Sequence, residues 1–213
     1  PGKNKKLLAG KELVRYAIEN ALKSDIVDDW VLSTDDPDII AIGHEYQGLS
    51  IINRPDEISG DDASAITYVH HALSILKKPY THTVIIQVTS PFTQPEDIDK
   101  TISALLNNKE AASAVSVQPL DFALHPAKLK TLSKDSVLVP YLEEEKGRMS
   151  AQQLPKIFVR NGSVYASTIA AISQGNIVQD PCTAYVMPRE RSLDINDPID
   201  FDFAEFMLKK YHS

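Results

Sequence analysis

Short apolar segments of β character alternate with longer segments of helical period along most of this chain, and that alternation restricts the fold more than any other feature. The clearest strand is "HTVIIQVTSP" at 82–91. Its unbroken Val-Ile-Ile run leaves no polar face for water and suits a sheet covered on both sides. "DWVLST" (29–34), "LSIINRP" (49–55) and "AASAVSVQPL" (111–120) read as further strands. Between them lie helices. "ELVRYAIENALKS" (12–24) places Leu13, Val14, Ala17, Ile18, Ala21 and Leu22 on one face. "PDIIAIGHEYQG" (37–48) has Pro37 in its first turn and Gly48 near its stop. "DDASAITYVHHALSILKK" (61–78) is expected to be capped by Asp61 or Asp62, and "PEDIDKTISALLNN" (95–108) follows the third strand. The β-α-β-α order implies an α/β protein with a mostly parallel, three-layer sheet.

At 213 residues and 43% hydrophobic content the chain buries one sizeable core, so 1–213 reads as a single domain. The rhythm breaks at 121–153, where His125-Pro126, Val139-Pro140 and an acidic run at 143–145 suggest a protruding hairpin or arm inserted in that domain. "KIFVRNGSVYAS" (156–167) follows; its Asn161-Gly162 pair by itself suits a tight hairpin turn. "TAYVMPRERSLDI" (183–195) reads as a final strand before a helix beginning at Pro198. A formal net charge of -7 argues against a nucleic-acid or anionic-membrane surface, so any anionic ligand must meet a local basic pocket. The single Cys182 excludes an internal disulfide and a Cys-rich zinc site, in keeping with a reducing, cytoplasmic setting. No apolar run is long enough to span a bilayer.

In open α/β sheets, ligands sit beyond the carboxyl ends of the strands, at the N-termini of the helices that follow. The polar residues at those ends are Ser33, Thr34 and Asp35; Arg54 and Glu57; Gln87, Thr89 and Ser90; and Asp194 with Asn196. Each also has an ordinary structural explanation. Arg54 suits a pair with Glu57, "DIND" an Asx turn, and Lys3, Lys5 and Lys6 a solvated basic tail.

Taken together, "PGKN", "VLSTDD", "RPDEISGDDAS", "QVTSPF", "HPAK", "QQLP", "NGSVY" and "SLDIND", in this order, resemble the acylneuraminate cytidylyltransferases, which activate sialic and related nonulosonic acids. The likeness covers nearly the whole chain. It implies a Rossmann-like nucleotidyltransferase fold and a homodimer in which the 121–153 arm completes the partner's sugar pocket. The reaction implied is attack by the anomeric hydroxyl of a 2-keto sugar acid on the α-phosphate of CTP, giving a CMP-sugar and pyrophosphate, with Mg²⁺ neutralising phosphate charge. In that family a first strand and the front of the nucleotide loop precede "GKN", so "PGKNKK" is expected to be the back half of that loop.

The resemblance also implies roles. Lys3 would bear on phosphate oxygens and Asn4 on the nucleotide, with Arg54 and Ser64 as further nucleotide contacts. Gln87, Asn161 and Tyr165 would line the sugar pocket, Gln87 positioning the attacking hydroxyl, and Lys128 and Gln152 would approach the sugar acid. The family places an Arg before "QQLP"; here that position is Ala151, and Arg148 is the nearest replacement. Asp194 and Asn196 match an Asp-x-Asp metal site whose second carboxylate has become an amide. Two apart, they share one side of an extended segment while Ile195 points to the core. Lys3, Gln87 and Asp194 are thus the expected catalytic residues. Activation of an eight-carbon 2-keto-3-deoxy acid, and a catalytically degenerate dimerising homologue, are the alternatives. No G-x-G-x-x-G follows a strand, which counts against a dinucleotide-dependent oxidoreductase.

Overall fold

The computed structural model describes residues 2–60, 63–142 and 154–211. Expectations for Asp61, Asp62, Arg148, Ala151, Gln152 and Gln153 therefore lie outside the described residues. Ten strands and six helices appear among the described residues, and the predicted alternation is present. A tight hairpin of β1 (Leu7–Leu8) and β2 (Lys11–Glu12) precedes α1 (Leu13–Ala21), whose Leu13, Val14 and Ile18 are buried. β3 (Trp30–Thr34) and β4 (Leu49–Asn53) pair in parallel around α2 (Pro37–Gly43). The Asp36 carboxylate caps α2, accepting from the Asp38 and Ile39 amides, and Pro37 starts it. That helix ends at Gly43, not near Gly48, because His44 to Tyr46 close in tighter turns. α3 (Ala65–Leu76) has Ser64 at its N-cap, two or three residues later than expected.

β5 (His82–Ile86), β6 (Ser113–Pro119), β9 (Phe158–Thr168) and β10 (Cys182–Val186) form a four-stranded sheet ordered β10-β6-β9-β5. β10 is parallel to β6, and β9 runs antiparallel to both β6 and β5, so three of the four strands point the same way. The β3–β4 pair is a separate sheet, yet Trp30 packs into the same core cluster as Val84 and Ile86. α4 (Pro95–Leu106) supplies Ile98, Ile102 and Leu105 to that cluster, covering Ala114, Val164 and Ala166. α5 (Ile169–Ser173) and α6 (Pro198–Tyr211) complete the helices, and Ala204 of α6 packs with Leu8, Leu13, Phe92 and Ile195.

Two segments differ from expectation. Asn161-Gly162 is not a hairpin turn; it lies inside the single strand β9. There, the two-residue step from Val115 to Val117 on β6 is matched by the five-residue step from Tyr165 to Arg160, so Asn161, Gly162 and Ser163 bulge out of the ladder. The last strand ends at Val186, because Pro188 lacks an N–H and cannot continue the ladder; residues 187–195 run on as a loop with one 3-10 turn. The irregular 121–142 region carries a two-stranded hairpin of β7 (Lys130–Leu132) and β8 (Leu138–Pro140) that, among the described residues, pairs only with itself.

The loop after β10 is tied to α4 by charge. Asp97, fully buried in the first turn of α4, accepts from Arg191 Nε (2.9 Å) and Nη2 (2.7 Å) and caps the helix by accepting from the Gln94 amide (3.0 Å). The carboxylate raises the Arg191 pKa through these hydrogen bonds. Removing the guanidinium strands a buried carboxylate. Arg191→Ala is expected to lower stability by about 3 kcal/mol in urea unfolding, and Arg191→Lys to recover only part of it because an ammonium cannot reproduce the two-pronged geometry.

Candidate functional site

Side-chain polar atoms that are buried and unpaired cost about 1–3 kcal/mol each, so they point to places where a ligand supplies the missing bond. Ser33 Oγ, Arg54 Nε, Ser90 Oγ and Asp194 Oδ1 are of this kind. Ser33 lies at the end of β3, Arg54 just past β4, Ser90 just past β5 and Asp194 in the loop after β10. All four sit at or beyond carboxyl ends of strands, the edge at which an α/β sheet binds its ligands. Trp30 Nε1 and His71 Nδ1, in β3 and α3, are also unpaired.

The segment carrying Asp194 is held through its backbone. Ile195 is buried, its amide donates to the Thr89 carbonyl (2.8 Å), and its carbonyl accepts from Lys3 Nζ (2.7 Å). With Ile195 anchored inward, Asp194 and Asn196 face the same side although no ladder extends there. Asn196 Nδ2 donates to Asp194 Oδ2 (3.2 Å). Lys3 is thus bound to the loop that bears Asp194, while Asn4 in the same 3-10 turn is exposed. Gly162 completes the enclosure: a Cβ there would lie 3.1 Å from Asp194 Oδ2.

A second group forms around Arg54. Its amide donates to the Thr34 carbonyl (2.9 Å), one guanidinium nitrogen lies 3.6 Å from Asp35 Oδ1, and its charge faces the Tyr68 ring, 5.2 Å from the centroid. The expected partner Glu57 is not the one used. Burial raises the Tyr68 pKa, and Tyr165 is close enough to add to that rise. Arg54, Tyr68 and Tyr165 therefore share a neighbourhood. Tyr68 was not anticipated from sequence, since on the helical pattern it is one more apolar-faced residue of α3.

The remaining candidates divide clearly. Gln87 is half-buried just past β5 and its amide donates to the Ser163 carbonyl of the β9 bulge (3.0 Å), next to Asn161 and Gly162. Asn161 is buried with its amide engaged: Oδ1 accepts from Ser116 Oγ (2.6 Å) and Nδ2 donates to Ser192 Oγ (2.9 Å) and Met187 Sδ (3.1 Å). Ser64 is exposed and its side chain makes no capping bond. Lys128 sets its ammonium 3.4 Å from the centroid of the Phe122 ring, and no described contact joins it to Asp194 or Arg54. Arg148 and Gln152 lie outside the described residues.

A divalent cation fits the donors at Asp194. Among the described residues no group of three or more His, Cys, Asp or Glu side chains is arranged to hold a metal ion. Mg²⁺, however, commonly takes one or two protein carboxylates and completes its shell with phosphate oxygens and water. The unpaired, buried Asp194 Oδ1 is the hard oxygen such an ion requires. Asn196 Oδ1 adds a neutral one.

Comparison with known proteins gives this geometry a class. The family described as cytidylyltransferase matches residues 1–174, and the chain belongs to it. It is thereby a nucleotidyltransferase. A pseudaminic acid cytidylyltransferase of Campylobacter jejuni is 28% identical over 216 residues, covering 100% of this chain and 91% of the relative. A CMP-N,N'-diacetyllegionaminic acid synthase of Legionella pneumophila is 28% identical over 218 residues, covering 98% and 90%. An N-acylneuraminate cytidylyltransferase of Escherichia coli is 27% identical over 214 residues, covering 98% of this chain and 48% of the relative. Among solved structures, a CMP:2-keto-3-deoxy-manno-octonic acid synthetase complexed with CTP has a TM-score of 0.68 at 14% identity, covering 99% of this chain and 92% of that one, a likeness of fold.

The Arg54–Tyr68 contact is testable within that class. A cation over an aromatic face contributes about 0.5–1 kcal/mol at a partly exposed site, so Tyr68→Leu is expected to weaken CTP binding two- to fivefold in calorimetry, roughly that energy converted. Tyr68→Phe keeps the ring face and is expected to bind CTP like the parent.

Proposed function

We propose that the protein transfers CMP from CTP to the anomeric hydroxyl of a nonulosonic, sialic-type acid, releasing pyrophosphate and forming a CMP-activated sugar. The observation that carries this reading is the buried, unpaired Asp194 oxygen at the ligand-binding edge of a chain whose relatives, matched along nearly its whole length, are named for CMP activation of such acids. The eight-carbon acid alternative has support only from a likeness of fold at 14% identity.

The reaction asks little covalent chemistry of the protein and much positioning. Asp194 Oδ1 and Asn196 Oδ1 would hold Mg²⁺, which when bound supplies charge neutralisation at the phosphate oxygens. Lys3, already beside Ile195, carries a positive charge to the phosphate side of that loop. Arg54, braced by Asp35 and Tyr68, offers its unpaired Nε to the nucleotide. Gln87, next to the β9 bulge, orients the attacking hydroxyl, and Tyr165 and Lys128 line the path of the sugar acid. The protein is read as cytoplasmic, where CTP is made, and as having no nucleic-acid or membrane partner. No helix among the described residues is long and apolar enough to cross a membrane.

A homodimer belongs to the same reading. The β7–β8 hairpin exposes Leu132, Val137, Leu138 and Val139, with Tyr141 beside it, an apolar patch on an element that joins no other sheet among the described residues. Leu138→Asp is expected to convert dimer to monomer in sedimentation at micromolar concentration. A parent protein that is monomeric there, yet fully active, would refute the assembly.

Pyrophosphate release tests the reaction itself, with CTP, Mg²⁺ and a panel of nine- and eight-carbon sugar acids. Turnover of a nine-carbon acid with CTP, and far less with UTP, is expected; no release with any acid would instead favour the degenerate homologue. Asp194→Ala should abolish transfer. Asn196→Asp should tighten apparent Mg²⁺ binding by roughly 1 kcal/mol, from a second negative charge near the ion at an effective dielectric suited to a partly exposed site.

A further inference from the structure

We propose that the β9 bulge is the positioning device for Asp194: Gly162 sets the carboxylate's place by contact, and Asn161 fixes the loop that carries it by hydrogen bonding. The inference rests on the reading of Asp194 as the metal carboxylate, and it gives Asn161 a part other than sugar recognition.

Asn161 is 4% exposed and its amide is spent inside the protein. Its Oδ1 accepts from Ser116 Oγ and, at 3.4 Å, from the Ser163 amide, while its Nδ2 donates to Met187 Sδ and Ser192 Oγ. Ser192 Oγ donates onward to the Pro188 carbonyl (2.8 Å). This path runs from β6 through the bulge to a residue two positions ahead of Asp194. A side chain so saturated has nothing left for a ligand hydroxyl.

Gly162 acts by what it lacks. Its φ of +74° is a conformation that L side chains rarely adopt, and an added Cβ would lie 3.1 Å from Asp194 Oδ2 and 3.3 Å from Asp194 Cγ. The loop cannot retreat from that contact easily. Ile195 is pinned at its amide by Thr89 and at its carbonyl by Lys3, so the carboxylate itself would have to rotate, away from Asn196 Nδ2. The three-residue bulge that turns Asn161 inward is the same one that brings Gly162 against Asp194. Groups that orient a metal's ligand govern affinity without touching the ion.

The experiment is a titration of the full chain with Mn²⁺ in the presence of CTP, read by electron paramagnetic resonance, with circular dichroism as the check on folding. Gly162→Ala and Ser192→Ala are expected to weaken Mn²⁺ binding about tenfold or more, the range for lost outer contacts of a ligand. Gly175→Ala is the control for backbone strain, because Gly175 has a φ of +84° with nothing within 4 Å of an added Cβ. It should bind Mn²⁺ like the parent. In steady-state assays Ser192→Ala should raise the Mg²⁺ requirement and leave the KM for the sugar acid unchanged, a split that a direct sugar contact through Asn161 would not produce. If Gly162→Ala fails to fold, Ser192→Ala decides alone. Parent-like Mn²⁺ affinity in either folded variant overturns the proposal. Parent-like affinity in Asp194→Ala overturns the metal reading beneath it, so the two failures are told apart.

Discussion

A carboxylate removed from water must be neutralised, and the way this chain neutralises Asp97 organises the region around its site. Asp97 is fully buried, caps the helix it begins and takes both hydrogen bonds of a two-pronged Arg191. The pair joins the N-terminus of α4, which packs on the four-stranded sheet, to the loop that leads from β10 to Asp194. That loop has no ladder of its own beyond β10. Its order comes from point attachments: Arg191 to Asp97, Ser192 to Asn161, and Ile195 to Thr89 and Lys3. Buried ion pairs are weak sources of net stability but strict about geometry, and here the geometry is what the site uses.

The interior between β6 and β9 follows the same logic on neutral groups. Ser113, Ser116, Ser163 and Ser167 are buried on these strands, with Thr93 nearby, and each hydroxyl is hydrogen-bonded. Ser116 Oγ accepts from the Val164 amide just past the bulge, replacing a ladder bond that the register shift removes (2.9 Å). Small hydroxyl side chains let the backbone depart from regular pairing without stranding polar groups. An apolar residue at Ser116 would keep the volume and lose the bond that makes the bulge tolerable.

Periodicity made the elements legible, because apolar spacing reports burial directly: the Leu13, Val14, Ile18 face is buried as read, while Val84 and Ile86 of the edge strand β5 pack half-buried against the core. Element ends were less legible. α2 stops at Gly43 and α3 starts after Ser64 because local turn geometry, not hydrophobic spacing, decides them. The Asn161-Gly162 pair shows the limit most plainly. The same dipeptide serves a hairpin or a bulge, and only the long-range register of β9 against both β5 and β6 selects the bulge. At the site, Arg54, Asp194 and Asn196 were visible as polar residues at strand ends. Tyr68 and Arg191 were not, since their parts depend on partners 14 and 94 positions away.

The distribution of cations explains how a chain of net charge -7 meets two anionic substrates. Lys5 is committed to Asp38 and Asp36, whose hydrogen bonds raise its pKa, and Lys6 lies over the Phe201 ring. Lys3 differs from Lys5: its partner is a backbone carbonyl, which leaves its formal charge uncancelled. Arg54 is only loosely paired, with Asp35 at 3.6 Å, and keeps an unpaired Nε. Positive charge at the ligand edge thus falls on residues whose carboxylate partners, among the described residues, are absent or distant, against a background that repels phosphate. With one carboxylate at 194 and an amide at 196, the loop proposed to hold the metal carries one negative charge less than an Asp-x-Asp loop, which on that proposal lowers its repulsion of a triphosphate and its hold on a bare cation together. On that reading, such a loop favours a cation that arrives with the nucleotide over one bound on its own.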